Sequence, residues 1–99
     1  MIEDQDIALK LFHIATIYGL NFKDLFSKSK KQLKCDIRNA IIEILNSMDN
    51  QKYSYANLAK IFNRDRTTIY DCIKTSKLNR ILFSKNQRIY EKINKILNS

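Results

Sequence analysis

The stretch SYANLAKIFNRDRTTIYDCIKTSKL, residues 54–78, decides the fold. It reads as two helices joined by a tight turn. Ser54 is a good N-cap, because its hydroxyl accepts from the free N–H groups of a first helical turn. Leu58, Ala59, Ile61 and Phe62 follow as an apolar stripe at helical spacing. The pattern breaks at Asn63–Arg64, where Asn tolerates the left-handed conformation that ends a helix. Asp65 then caps a second helix with its carboxylate at the positive N-terminal end. On that helix Ile69, Cys72, Ile73 and Ser76 fall on an inward face, and Arg66, Thr67, Tyr70 and Lys74 fall on an outward one. The outward face carries a guanidinium suited to guanine, a hydroxyl and methyl for base edges, and a lysine for phosphate. A short helix, a tight turn and a longer helix make the helix-turn-helix plan, whose second helix enters the major groove. An ordinary helical hairpin is the competing reading of the same pattern.

Outward from this stretch, 99 residues suffice for one domain with a single core. One Gly and no Pro argue against hairpins and for helices throughout. The expected fold is all-α, a compact domain of about five to six helices, with the helix-turn-helix at about 54–78 and a last helix at about 84–98. The formal net charge of +8 favours a polyanionic partner. The charge is also segregated. Glu3, Asp4, Asp6 and Asp24 lie in the first quarter, whereas from Asn50 onward Asp65, Asp71 and Glu91 face eleven basic residues.

A first helix begins at Asp4 or Asp6 and runs to about Tyr18, with Ile7, Leu11, Ile14 and Tyr18 as its apolar face and Gly19 as its C-cap. His13 on it reads as a surface or boundary residue. Asn21 and Asp24 cap a short turn that buries Phe22, Leu25 and Phe26. The basic run Ser27-Lys28-Ser29-Lys30-Lys31-Gln32 opens into a long helix, about Lys31 to Ser47, with Leu33, Ile37, Ile41, Ile44, Leu45 and Met48 as its buried stripe. Such a run is a solvated linker or, at a helix N-terminus, a phosphate site. Tyr53 and Tyr55 flank Ser54 as a packing staple or as groups for sugar and phosphate. Asn79–Arg80 break the second helix of the hairpin. Ser84 caps the last helix, which buries Ile89, Ile93, Ile96 and Leu97 and turns Lys85, Arg88, Lys92 and Lys95 outward. That basic face grazes a DNA backbone or forms a homodimer surface.

Phe62-Asn63-Arg64-Asp65-Arg66-Thr67-Thr68-Ile69 resembles the signature Phe-Gly-Gly-Arg-Asp-His-Thr-Thr-Val of the C-terminal DNA-binding domain of the bacterial replication initiator DnaA, a Trp-repressor-like helical domain. Arg64, Asp65, Thr67 and Thr68 match, Ile69 is conservative, and Arg66 stands where the family has His. Asn21 to Lys30 resembles the family's Asp-Leu-Leu-Ser-Lys stretch and the basic residues after it, and the similarity covers the chain from about Ile7 onward. The resemblance implies binding of double-stranded DNA at a nine-base-pair site of the DnaA-box type. Asp65, Arg66, Thr67 and, from the minor groove, Lys30 would meet bases. Lys28, Lys31, Arg38, Ser54, Tyr55, Arg64, Thr68 and Lys74 would hold the backbone. Lys30 occupies the place of the family's minor-groove arginine, which implies grip with weaker discrimination. For Arg38 a salt bridge to Asp36 or Glu43 is the alternative.

Other function classes find less support. The acids are scattered and the single His has no partner, so no enzyme is expected. Cys35 and Cys72 lack zinc spacing and read as buried, reduced thiols. There is no Gly-rich phosphate loop, no cofactor is implied, and no small-molecule substrate or membrane segment is expected, so the protein is placed in the cytoplasm at the nucleoid. The initiator Met and acidic start favour a complete small protein over a domain excised from a longer initiator. A helix-turn-helix transcriptional regulator, a non-specific DNA binder of phage or plasmid type, and a basic protein-interaction module remain the alternatives.

Overall fold

Two left-handed residues end two helices by one mechanism, and between them they set the path of the chain. The computed structural model describes residues 4–99; Glu3 of the acidic start lies outside them. Helix α1 spans Gln5–Ile17, and Asp4 caps it by accepting from the Asp6 and Ile7 amides. Past its end Gly19 takes φ 69°, the Gly19 amide donates to Thr16 and the Leu20 amide to Ala15. Helix α3, Tyr55–Phe62, ends identically: Asn63 takes φ 52°, its amide donates to Lys60, and Arg64 donates to Ala59. Both are the paired C-terminal bonds of the Schellman motif, which needs φ above zero at one residue.

Between these lie a 3₁₀ turn, Phe22–Phe26, and helix α2, Gln32–Met48; after them come α4, Arg66–Leu82, and α5, Ser84–Leu97. No strand occurs among the described residues, and no described helix is long and apolar enough to cross a membrane. The Cα radius of gyration is 12.1 Å, close to the ~13 Å of a compact domain of this length. The chain is all-α, as expected.

Helix α2 is the centre. It packs against α3, α4 and α5, and Ile37, Ile41, Ile42, Ile44 and Leu45 are all but inaccessible. The stripe expected on it is too long. Leu33 and Met48 are 41% and 37% exposed, because each sits in a terminal turn, where α2 has fewer neighbours than at its middle. A row of rings then joins α1 to α3: Phe12–Phe22, Phe22–Phe26 and Phe26–Phe62, with centroids 6.4, 5.2 and 5.1 Å apart. These separations suit tilted aromatic pairs.

Helix α4 does not break at Asn79–Arg80 but continues to Leu82. A buried polar network holds its last turns. Glu43 accepts from Ser76 Oγ at 2.8 Å and from Arg80 Nη2 at 2.9 Å, and the Arg80 guanidinium lies 4.3 Å from the Tyr90 ring centre. Nor does Ser84 cap α5. It is the first helical residue, and one extended residue, Phe83, joins the helices without a side-chain cap. At the other end Lys10 closes α5 by donating to the Leu97 and Ser99 carbonyls.

Glu43 is costly to remove, because Arg80 and Ser76 would stay behind half-buried and buried without their acceptor. Glu43→Ala is expected to lower stability by about 3 kcal/mol, read from the midpoint of urea unfolding. Arg80→Met, which leaves the more deeply buried Glu43 carboxylate without its counter-charge, should cost at least as much.

Candidate nucleic-acid interface

The α3–α4 hairpin is built from its caps. Ser54 Oγ accepts from the Asn57 amide at 3.2 Å, and Asp65 Oδ1 accepts from the Thr68 amide at 2.7 Å. The turn between the helices is therefore three residues, Asn63 to Asp65, with its ends bonded on both sides. Leu58, Ala59 and Phe62 of α3 and Ile69, Ile73 and Ser76 of α4 are buried, which fixes the rotation of α4 about its axis. That rotation exposes Arg66, Thr67, Tyr70 and Lys74, as the sequence pattern indicates, and leaves Cys72 half-buried rather than fully inside. Both cysteines are free thiols, and burial pushes the Cys72 thiol up.

The two tyrosines flanking Ser54 divide the roles considered for them. Tyr53 is buried in the core. Tyr55 is exposed and meets Tyr70 of α4 edge to face, with ring centres 6.1 Å apart. The sequence marks Tyr70 as a surface group and leaves Tyr55 open between a packing staple and a surface group, and their pairing across the hairpin has no sequence signal.

The basic run is ordered by its own hydrogen bonds. Ser27 Oγ donates to the Asp24 carbonyl, and Ser29 Oγ accepts from the Lys31 amide. Lys28, Lys30 and Lys31 project into solvent. Helix α2 starts at Gln32 with no side-chain bond at its cap, so the first-turn amides behind these lysines are not taken by a side chain.

Arg38 and Arg64 face inward onto the protein rather than out toward a DNA backbone. Both are expected at the DNA backbone, but their guanidiniums converge on one protein atom. Arg64 Nη2 donates to the Ser27 carbonyl at 2.7 Å and Arg38 Nη1 to the same oxygen at 2.9 Å. Arg38 is 7% exposed, and its Nη2 turns to Cys35 Sγ at 3.4 Å. The salt bridge considered for Arg38 is not made either: Glu43 takes Arg80, and Asp36 takes Gln32 and Lys85. Burial, and then the neighbouring Arg38 charge, pull the Arg64 pKa down. No carboxylate pairs with either arginine among the described residues. The Arg64 bond ties the lysine loop to the turn before α4 and the Arg38 bond ties it to α2, so loop and helix end are presented together.

The arrangement thus gathers Lys28, Lys30 and Lys31 at one place, with Arg66, Thr67, Tyr70, Lys74 and Tyr55 on the exposed hairpin. Ser54 and Thr68 are half-buried and serve the caps, Ser54 through its own hydroxyl and Thr68 through its amide. Asp65 is exposed but has one oxygen spent on the cap. Such a surface offers cations, hydroxyls and aromatic edges to a polyanion, and lacks a nucleophile with an adjacent base. Comparison of the chain with protein-family models, curated proteins and solved structures finds no match.

Two outcomes follow from these bonds. Arg64→Ala should free the loop, so that amides 28–31 exchange faster in hydrogen-exchange measurements, at a cost of about 1–3 kcal/mol for the lost charged bond. The Thr68 hydrogen bonds hold the Asp65 carboxyl below its ordinary range, and its bonds to Lys52 and to backbone amides do the same for Asp4. A lowered folded-state pKa gives stability that is present above the unfolded value and lost as pH falls through the folded one. Thermal melts of the parent should therefore drop below the carboxylate range, and Asp65→Asn should weaken that dependence.

Proposed function

We infer that this chain binds double-stranded DNA sequence-specifically. The N-terminal end of α4 enters the major groove and the 28–31 loop holds the adjacent minor groove. One observation carries the reading: the Arg64–Ser27 bond fastens an exposed lysine loop to the turn that starts a helix with Arg66 and Thr67 free at its tip. Major-groove helix and neighbouring basic arm are a known division of labour in DNA recognition, and here the two are joined before any DNA arrives. Preorganisation of this kind lowers the ordering cost of binding.

Arg66 and Thr67 read base edges, the arginine seeking the O6 and N7 of a guanine. Asp65 offers its second carboxylate oxygen to an amino group. Lys28, Lys30, Lys31 and Lys74 meet phosphates or the minor groove, and the Tyr55 and Ser54 hydroxyls fix register. Arg38 and Arg64 act through the loop they hold, and their unpaired positive charge adds to the field on this face. The resemblance to the DnaA C-terminal domain makes a DnaA-box-like duplex the first target, at replication origins or promoters, with the protein working in the cytoplasm at the nucleoid.

Fluorescence anisotropy with box-bearing and scrambled duplexes at two salt concentrations tests this. Arg66→Ala should cost about 1–3 kcal/mol on the preferred duplex and relax its preference, whereas Lys30→Ala should weaken all duplexes and reduce the salt slope by about one. Binding that is unchanged in Arg66→Ala and Thr67→Ala at every sequence would sink the proposal.

A further inference from the structure

Two large aromatic rings stand in solvent on the face that carries Arg66 and Thr67. Tyr70 of α4 and Tyr55 of α3 are 50% and 39% exposed, and neither belongs to the core. They meet edge to face, with ring centres 6.1 Å apart and an angle of 65° between the planes. A tyrosine on an exposed helix face moves among rotamers, and ordering it on binding has a cost. Tyr55 is the first residue of α3, and Tyr70 lies one turn into α4. Their contact therefore spans the hairpin and restricts the Tyr70 ring before any ligand arrives.

Helical register fixes what Tyr70 stands beside. At about 100° per residue it lies about 40° round the helix from Arg66 and about 60° from Thr67, between the two and one turn further from the tip. Lys74, also exposed, follows one turn later. Arg66, Tyr70 and Lys74 thus form one outward row: a guanidinium at the tip, then a ring, then an ammonium. In a major groove entered by the helix N-terminus, the tip meets base edges and the later turns meet the groove wall and phosphates. The apolar group that a major groove offers to a ring is the C5-methyl of thymine.

We propose, resting on the DNA-binding reading above, that Tyr70 is a specificity-determining residue. Its ring packs on the C5-methyl of a thymine beside the guanine read by Arg66, and Tyr55 is the positioning residue that holds the ring there. Cytosine and uracil lack that methyl, so the contact separates thymine from both. Other uses of Tyr70 leave different signatures. A hydroxyl that only bonds phosphate is lost in Tyr70→Phe and is indifferent to the methyl, and a ring that only braces the hairpin weakens every duplex alike when removed.

The experiment takes the duplex that the full chain prefers and replaces its thymines one at a time by deoxyuridine, which removes the methyl and keeps the base pair. Anisotropy titrations should show a position at which the parent binds the deoxyuridine duplex about fourfold more weakly, the contribution of one buried methyl-sized group. At that position Tyr70→Ala should bind both duplexes alike, and Tyr70→Phe should keep the difference. Tyr55→Ala should shrink the difference and Tyr55→Phe should keep it, whereas a merely structural loss at Tyr55 would weaken both duplexes together. Both tyrosines are exposed, so the variants should melt close to the parent. Sequence preference without any methyl-sensitive thymine, a methyl penalty that survives in Tyr70→Ala, or one lost in Tyr70→Phe would each overturn the role of Tyr70 and leave the DNA reading standing. A parent with no preferred duplex would overturn both.

Discussion

The Ser27 carbonyl is the point on which the candidate interface depends. One backbone oxygen accepts from two guanidiniums that arrive from different elements, Arg38 from α2 and Arg64 from the α3–α4 turn. A carbonyl has two lone pairs, so both bonds can form at full strength. Bringing two like charges to one atom away from water is unfavourable, as the lowered Arg64 pKa reflects. What offsets the cost is geometry. The bonds replace the hydration of three groups and leave a loop of three lysines standing at a set distance from a helix tip. In the proposed reading the uncompensated charge has a second use, because a phosphate approaching this face meets a field that no internal carboxylate cancels.

The rest of the fold keeps α4 from turning about its axis. Apolar contacts of Ile69 and Ile73 allow some rotation, since hydrophobic packing is not directional. The Glu43 network is directional: it takes a hydroxyl from Ser76 and a fork from Arg80, one turn apart on one side of the helix. Hydrogen bonds inside a poorly solvated site carry a high cost when misaligned. Glu43 therefore fixes at one end of α4 what the Asp65 cap fixes at the other. The outward direction of Arg66 and Thr67 follows from both.

Much of this was legible in the residues. The caps at Asp4, Ser54 and Asp65, and the left-handed Gly19 and Asn63, were readable because each is a local event with a residue type suited to it. The inward and outward faces of α4 were readable because helical periodicity needs no knowledge of neighbours. Apart from Ser84, a local cap position that Phe83 takes, the failures are tertiary. Leu33 and Met48 keep the period of the α2 stripe but lie at its ends, and periodicity does not say where a covering helix stops. Arg38 and Arg64 carry the signature of surface cations, and only the folded chain brings the Ser27 carbonyl to them. Asn79–Arg80 looks like a helix break, since Asn is a weak helix former, but Glu43 waits 37 positions earlier for the Arg80 side chain.

That last case explains the shape of the far end of the molecule. Had α4 ended at Leu78, Ile81 and Leu82 would belong to a loop free to fold back over the core. Because Glu43 and Tyr90 clamp Arg80, the helix is carried two residues beyond it, and the turn to α5 is left with Phe83 alone. A one-residue connection cannot bury both its own ring and the last turn of the helix before it. The exposed ridge is thus a consequence of satisfying a buried carboxylate: the polar network that orients the Arg66 end of α4 also leaves apolar residues in solvent at the opposite end. A chain that gains orientation in this way carries apolar side chains in solvent at the far end of the same helix.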